Sequence, residues 1–236
     1  MKNDAMTRND RCAVGGPQFW RCVAVACCWL GGTLPAQANT PQNITPGEVA
    51  RLPEYCANAQ SFAKTGIPGA PSPIQQHWLA LMGETFWHLH HYCWALVSAN
   101  RSEAAGVAPN HRVYLLNSAI ADADYVVQRA PAQFPLLPEI FYRMGQYHLT
   151  AGRPAIAVSF FDKSRQAKPD YWPPYVELAK VSASLGKRSD AIAVLEEGLK
   201  LMPEQPQLTE AMKNIKNPRS VPVATAAKKP KPAAQP

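Results

Sequence analysis

The side chains best suited to chemistry crowd between positions 77 and 93: His77, Glu84, His88, His90, His91 and Cys93. Imidazole, carboxylate and thiolate all ligate metals. Wound on a helix at 100° per residue, His77, Glu84, His88 and His91 share one polar stripe. Trp78, Leu79, Met82, Phe86, Leu89, Cys93, Leu96 and Val97 fill the other side. That pattern predicts a long amphipathic helix over 72–99 and separates the thiol from the imidazoles, which argues against a mixed Cys/His zinc site. Glu84, His88 and His91 bind a metal only if another helix adds a ligand. A metal-binding protein using this stripe is therefore the alternative function, and a polar face packed on solvent or a neighbouring element is the favoured reading. No C-x-x-C-H occurs, so covalent haem is not expected.

Catalytic signatures are missing. The chain holds no G-x-S-x-G, H-E-x-x-H, G-x-x-x-x-G-K-[ST] or G-x-G-x-x-G. The acid pairs Asp122/Asp124 and Glu196/Glu197 are two apart or adjacent, so on helices they point away from any shared substrate. No residue set implies a cofactor. A non-enzyme is expected.

The elements that hold these residues become clear once the ends are set aside. Lys2, Arg8, Arg11 and Arg21 precede a 13-residue apolar stretch, Cys22–Leu34, then Pro35 and the small-x-small triplet Ala36-Gln37-Ala38. A basic region, a short apolar core and an A-x-A site predict a secretory signal peptide over 1–38, cleaved after Ala38, and hence a periplasmic or secreted protein. The core is too short to span a bilayer, and nothing else suggests an integral membrane span. Residues 217–236 carry five prolines, four basic residues and no acid, which predicts a disordered tail.

Of 24 basic and 17 acidic residues in the 236-residue chain, four and two fall in the leader, and four and none in the tail. The remaining 16 and 15 leave a nearly neutral body with no electrostatic footprint for nucleic acid. Four of the six cysteines belong to the leader as well. Cys56 and Cys93 remain, and in an exported chain they pair or persist as two buried thiols. Pairing is favoured. Cys93 lies on an apolar helix face, and Tyr55, Ala59 and Phe62 give the Cys56 segment an apolar side.

A period runs through the body. Pro135, Pro169 and Pro203 recur at intervals of 34, as do Gly152/Gly186, Ala157/Ala191, Phe141/Tyr175, Met144/Leu178, Gly145/Ala179 and Phe161/Leu195. Each pair has a physical task. Large apolar residues three apart mark one face of a first helix. Gly145/Ala179 allow close approach, the glycines suit a bend with φ > 0, and the prolines end a second helix. This pattern resembles the tetratricopeptide (TPR) repeat, with its aromatic-x-x-Leu-Gly first helix, Ala-x-x-x-Phe second helix and closing proline.

The resemblance implies an all-α fold: an antiparallel helix-turn-helix stack, a TPR-like α-solenoid with a divergent N-terminal helical region. Two repeats would occupy 137–170 and 171–203, followed by a capping helix over 204–216. Residues 39–136 would hold one divergent helix pair, in which Ala123, Val127, Ala130 and Pro135 match a second-helix half. Ser164 and Gly198 stand where the family has alanine, and His148 and Ser182 where it has tyrosine. Helix starts are marked at Thr45-Pro46-Gly47-Glu48 and Ser72-Pro73-Ile74-Gln75, each with a capping-box pattern.

The resemblance also implies a binding place, the concave groove formed by the first helices. Transferred position by position, it comprises Glu139, Tyr142, Gln146, Leu149 and Thr150, then Val176, Lys180, Ala183 and Ser184. Tyr142 and Gln146 occupy positions where some TPR domains clamp a carboxylate with Lys and Asn, so that clamp is absent. The implied activity is an exported scaffold or adaptor that binds another protein or peptide of the cell envelope without catalysis.

Overall fold

A computed structural model describes residues 41–60, 62 and 71–217. The predicted leader and, past Asn217, the predicted tail lie outside the described residues. Helices account for all the regular structure among those described: α1 Pro46–Val49, α2 Glu54–Asn58, α3 Pro73–Met82, a 3₁₀ segment Gly83–His88, α4 Leu89–Ser102, α5 Pro109–Val127, α6 Leu137–Thr150, α7 Pro154–Ala167, α8 Pro173–Ser184, α9 Arg188–Leu201 and α10 Pro206–Lys216. From α4 onward each helix packs on the next in the chain. The architecture is an all-α stack of antiparallel helix pairs.

Local signals explain the helix starts. Thr45 and Ser72 both form complete capping boxes: Thr45 Oγ1 accepts the Glu48 amide while Glu48 accepts the Thr45 amide, and Gln75 does the same for Ser72. Such reciprocal caps satisfy donors that a helix start leaves unpaired. Proline opens α1, α3, α5, α7, α8 and α10, where its missing N–H costs nothing.

The 34-residue period is visible in the backbone. Helix α7 begins at 154 and ends at 167, α9 begins at 188 and ends at 201, and Gly152 and Gly186 in the intervening turns share φ of 76°. Equivalent positions also do equivalent packing. Ala157 and Phe161 on α7, like Ala191 and Leu195 on α9, are fully buried. Gly145 lies so close to α7 that a Cβ there would fall 2.5 Å from Phe161 Cε1, so the absent side chain sets the α6–α7 approach. Ser164, one of the departures from the repeat pattern, is buried and donates a 2.6 Å hydrogen bond to the Pro138 carbonyl, tying α7 to the start of α6.

Two expectations are corrected. The long helix over 72–99 is broken: Gly83 takes φ of 63° at the end of α3, and a 3₁₀ segment follows before α4 begins. At roughly three residues per turn this segment rotates side chains differently from an α-helix, so the continuous polar stripe does not form. The second-helix match before Pro135 also fails in part. Helix α5 stops at Val127, which leaves Ala130 beyond it, and Val126 is the residue buried one turn after Ala123.

The main core joins α2, α4, α5 and α6. Cys56 on α2 and Cys93 on α4 are both fully buried and form a disulfide, with sulfurs 2.02 Å and Cα atoms 5.7 Å apart. Tyr55, Ala59 and Phe62 turn toward the same core. Arg101 of α4 grips α1 by donating to Glu48 Oε1 at 2.6 Å and Oε2 at 3.1 Å. This pairing and the Thr45 cap hold the Glu48 carboxyl down at about 2. No helix among the described residues is long and apolar enough to cross a membrane.

Candidate functional site

The histidine-rich segment resolves into separate environments. His77 is exposed beside Trp78 on α3, and Glu84 is exposed on the 3₁₀ segment. His91 turns inward: its Nδ1 lies 2.8 Å from Oδ1 of the fully buried Asp122, and its ring stacks on Tyr125 at 3.8 Å. His90 Nδ1 meets the Trp87 carbonyl at 2.8 Å. Burial, then the neighbouring His91, pushes His90 down to about 4. His88 is also lowered, by burial, Arg129 and His91 in that order. Among the described residues, no three His, Cys, Asp or Glu side chains are gathered as a metal site would require.

The groove positions resolve differently. Tyr142, Val176 and Lys180 line one open cavity of about 500 Å³ between α6, α8 and α10. The other six sit elsewhere. Glu139 accepts a 2.9 Å hydrogen bond from the buried Tyr92 hydroxyl and so braces α6 against α4. Gln146 donates to the Tyr142 hydroxyl at 2.8 Å, which fixes that ring from one turn away. Leu149 packs on the small core of Ala157, Phe161 and Leu178. Thr150 is exposed at the end of α6, Ala183 packs on the Tyr175 core, and Ser184 donates to the Val181 carbonyl.

Residues not anticipated complete the cavity: Trp172 and Glu177 from α8 and its start, and Pro206, Gln207, Glu210, Ala211 and Asn214 from α10. Their signal was the period itself. Tyr142, Val176 and Glu210 are 34 apart, as are Gln146, Lys180 and Asn214. Helix α10 therefore occupies the place of a third first helix, and the wall continues onto it. Its apolar face, through Leu208 and Met212, packs on the Tyr175 core and leaves the 206/210/214 face outward.

Aromatic and charged side chains line the cavity together. The Tyr142 ring stands edge-on to Tyr171 at 6.0 Å, and its hydroxyl is pushed up by burial and by Glu177. Glu177 receives Lys180 Nζ at 2.8 Å. Glu210 accepts an amide hydrogen bond from Asn214 at 3.2 Å. This surface presents ring faces, amides, a lysine and carboxylates.

Fold and cavity together define an all-α helix-pair stack with an open groove along one set of helices. A scan against protein-family models finds no match to the chain, and a search of curated proteins finds no relative.

Proposed function

We propose that this protein is an exported scaffold of the TPR type that binds a protein or peptide of the cell envelope along the α6–α8–α10 groove, without catalysis of its own. The observation that carries the reading is the groove itself: repeat-equivalent positions 142, 176 and 210, and likewise 180 and 214, meet in one cavity. Tyr142, Trp172, Val176 and Ala211 serve the buried clusters as well, whereas Lys180, Glu210 and Asn214 line the cavity and belong to none of those clusters. A half-exposed tyrosine, a tryptophan and side-chain amides suit an extended peptide, whose main chain needs hydrogen bonds and whose side chains need shallow pockets. The leader pattern supports a periplasmic or secreted location, and a disulfide fits an oxidising compartment.

A photoreactive residue at Asn214, expressed in cells, should capture a discrete partner from the envelope. The double variant Tyr142→Ala/Lys180→Glu should cut that adduct at least tenfold while far-ultraviolet circular dichroism stays unchanged. Equal capture by the double variant would move the site elsewhere.

A further inference from the structure

We propose that the groove is occupied in the free protein by the chain's own segment 218–236, folded back in cis over α10. The inference rests on reading the groove as a peptide site, and it assigns that site a built-in competitor. Three observations converge. The first is continuity: α10 supplies the groove wall from Pro206 to Asn214, and the segment leaves that helix at Asn217, one turn beyond Asn214. The second is chemistry. The segment contains Pro218, Pro222, Pro230, Pro232 and Pro236, with Arg219, Lys228, Lys229 and Lys231 and no acid. Proline-rich chain favours the polyproline II form, which docks on aromatic-lined grooves at small entropic cost. Trp172 and Tyr142 provide those aromatic faces.

The third is charge. Glu177 is already paired with Lys180, whereas Glu210 accepts only the Asn214 amide, so among the described residues the rim keeps one carboxylate without a cation. A Lys-Pro-Lys-Pro run (229–232) alternates ammonium groups with rings, and the groove lining supplies both carboxylates and aromatic faces. Reach is ample. Helix α10 has 11 residues, about 16 Å at 1.5 Å each. The 11 residues from Asn217 to Lys228 span up to about 34 Å at 3.1 Å each, enough to turn and run back along the helix.

A partner would then have to displace this segment, so envelope binding and self-binding exclude each other. Carbodiimide crosslinking of the purified mature full chain at physiological salt, read by peptide mass spectrometry, tests the proposal. Lys228, Lys229 or Lys231 should join Glu210 or Glu177 in species of monomer mass, at least tenfold above the exposed Glu196 on α9. The exposed Glu210→Arg change should cut the Glu177 products at least tenfold with helicity unchanged. In parallel, Lys228→Glu/Lys229→Glu/Lys231→Glu should shift the amide resonances of Val176 and Ala211. Crosslinks found only at dimer mass would assign the groove to a second copy and overturn folding back in cis. Crosslinks spread evenly over Glu196, or unmoved resonances, would overturn docking altogether. Either result with partner capture at Asn214 intact leaves the scaffold function standing, which separates the two failures.

Discussion

Gly145 offers the sharpest test of how the stack holds its groove. Replacing it with alanine adds one methyl group 2.5 Å from Phe161 Cε1, 2.6 Å from Cδ1 and 3.0 Å from Cζ. Carbon atoms pack at about 3.5–4.0 Å, so the ring or helix α7 must retreat by about 1 Å. The Phe161 ring has little room: it is fully buried, with the Tyr142 ring 5.9 Å away and Leu178 of α8 in the same cluster. Overpacking of this kind costs about 1–3 kcal/mol. Alanine also favours the helix over glycine by about 1 kcal/mol. The net is a destabilisation of up to about 2 kcal/mol, or a urea midpoint lower by up to about 1 M for a slope near 2 kcal/mol/M.

Gly198 is the internal control. A Cβ there meets Leu208 and Tyr175 at 3.1 Å, a shortfall of a few tenths of an ångström that two side chains can absorb. Gly198→Ala should therefore lie within about 0.5 kcal/mol of the parent, since helix propensity offsets the mild crowding. Because a displaced Phe161 pushes on Tyr142, Gly145→Ala should also weaken partner capture, and Gly198→Ala should not. Urea unfolding followed by circular dichroism on all three proteins decides it. A Gly145→Ala midpoint above the parent's would refute the close-approach argument.

Other outcomes follow from the same contacts. The Cys56–Cys93 disulfide closes a separation of 37 residues, so Cys56→Ala/Cys93→Ala should lose about 3–4 kcal/mol, read by denaturant midpoint; an unchanged midpoint would contradict it. Ser164→Ala removes the buried 2.6 Å bond to Pro138 and should cost about 1 kcal/mol, whereas Ser159→Ala on the exposed side of α7 should cost far less. His90 is held down at about 4 in the fold, so between pH 6.5 and 4 the unfolded chain binds the extra proton and stability falls as pH falls. Thermal midpoints should decline through that window and His90→Gln should flatten the slope; a flat wild-type profile would refute it. Glu48, held at about 2, adds a separate loss only as pH drops from about 4.5 through 2, the sign expected of a carboxylate stabilised by Arg101.

Much of this architecture was legible in residue types alone. Capping boxes at Thr45 and Ser72, the N1 prolines, the glycine bends and the 34-residue recurrence are local or periodic signals, and each depends on backbone preferences that act within a few residues. The cysteine pairing was also accessible, because only two cysteines lie outside the predicted leader and each sits among apolar neighbours. The outward face of α10 is written in the same period, since Glu210 follows Val176 and Asn214 follows Lys180 by 34 residues.

Tertiary packing decided the rest. A single glycine is tolerated inside helices at about 1 kcal/mol, so Gly83 in an apolar run did not announce a break. The break lets Thr85 and Phe86 enter the core while Glu84 stays outside, a choice made by partners distant in sequence. Glu139 and Tyr142 are three residues apart on one helix and look alike as surface positions. What separates them is Tyr92, 47 residues earlier, whose buried hydroxyl requires an acceptor and takes Glu139, whereas Tyr142 faces α8 and α10 across open space. His91 was likewise drawn inward by Asp122, 31 residues away. Periodicity is written into the chain because it arises from each helix's own geometry. Which polar groups remain for a partner depends on which others are consumed in satisfying buried donors and acceptors, and that balance exists only once the helices have met.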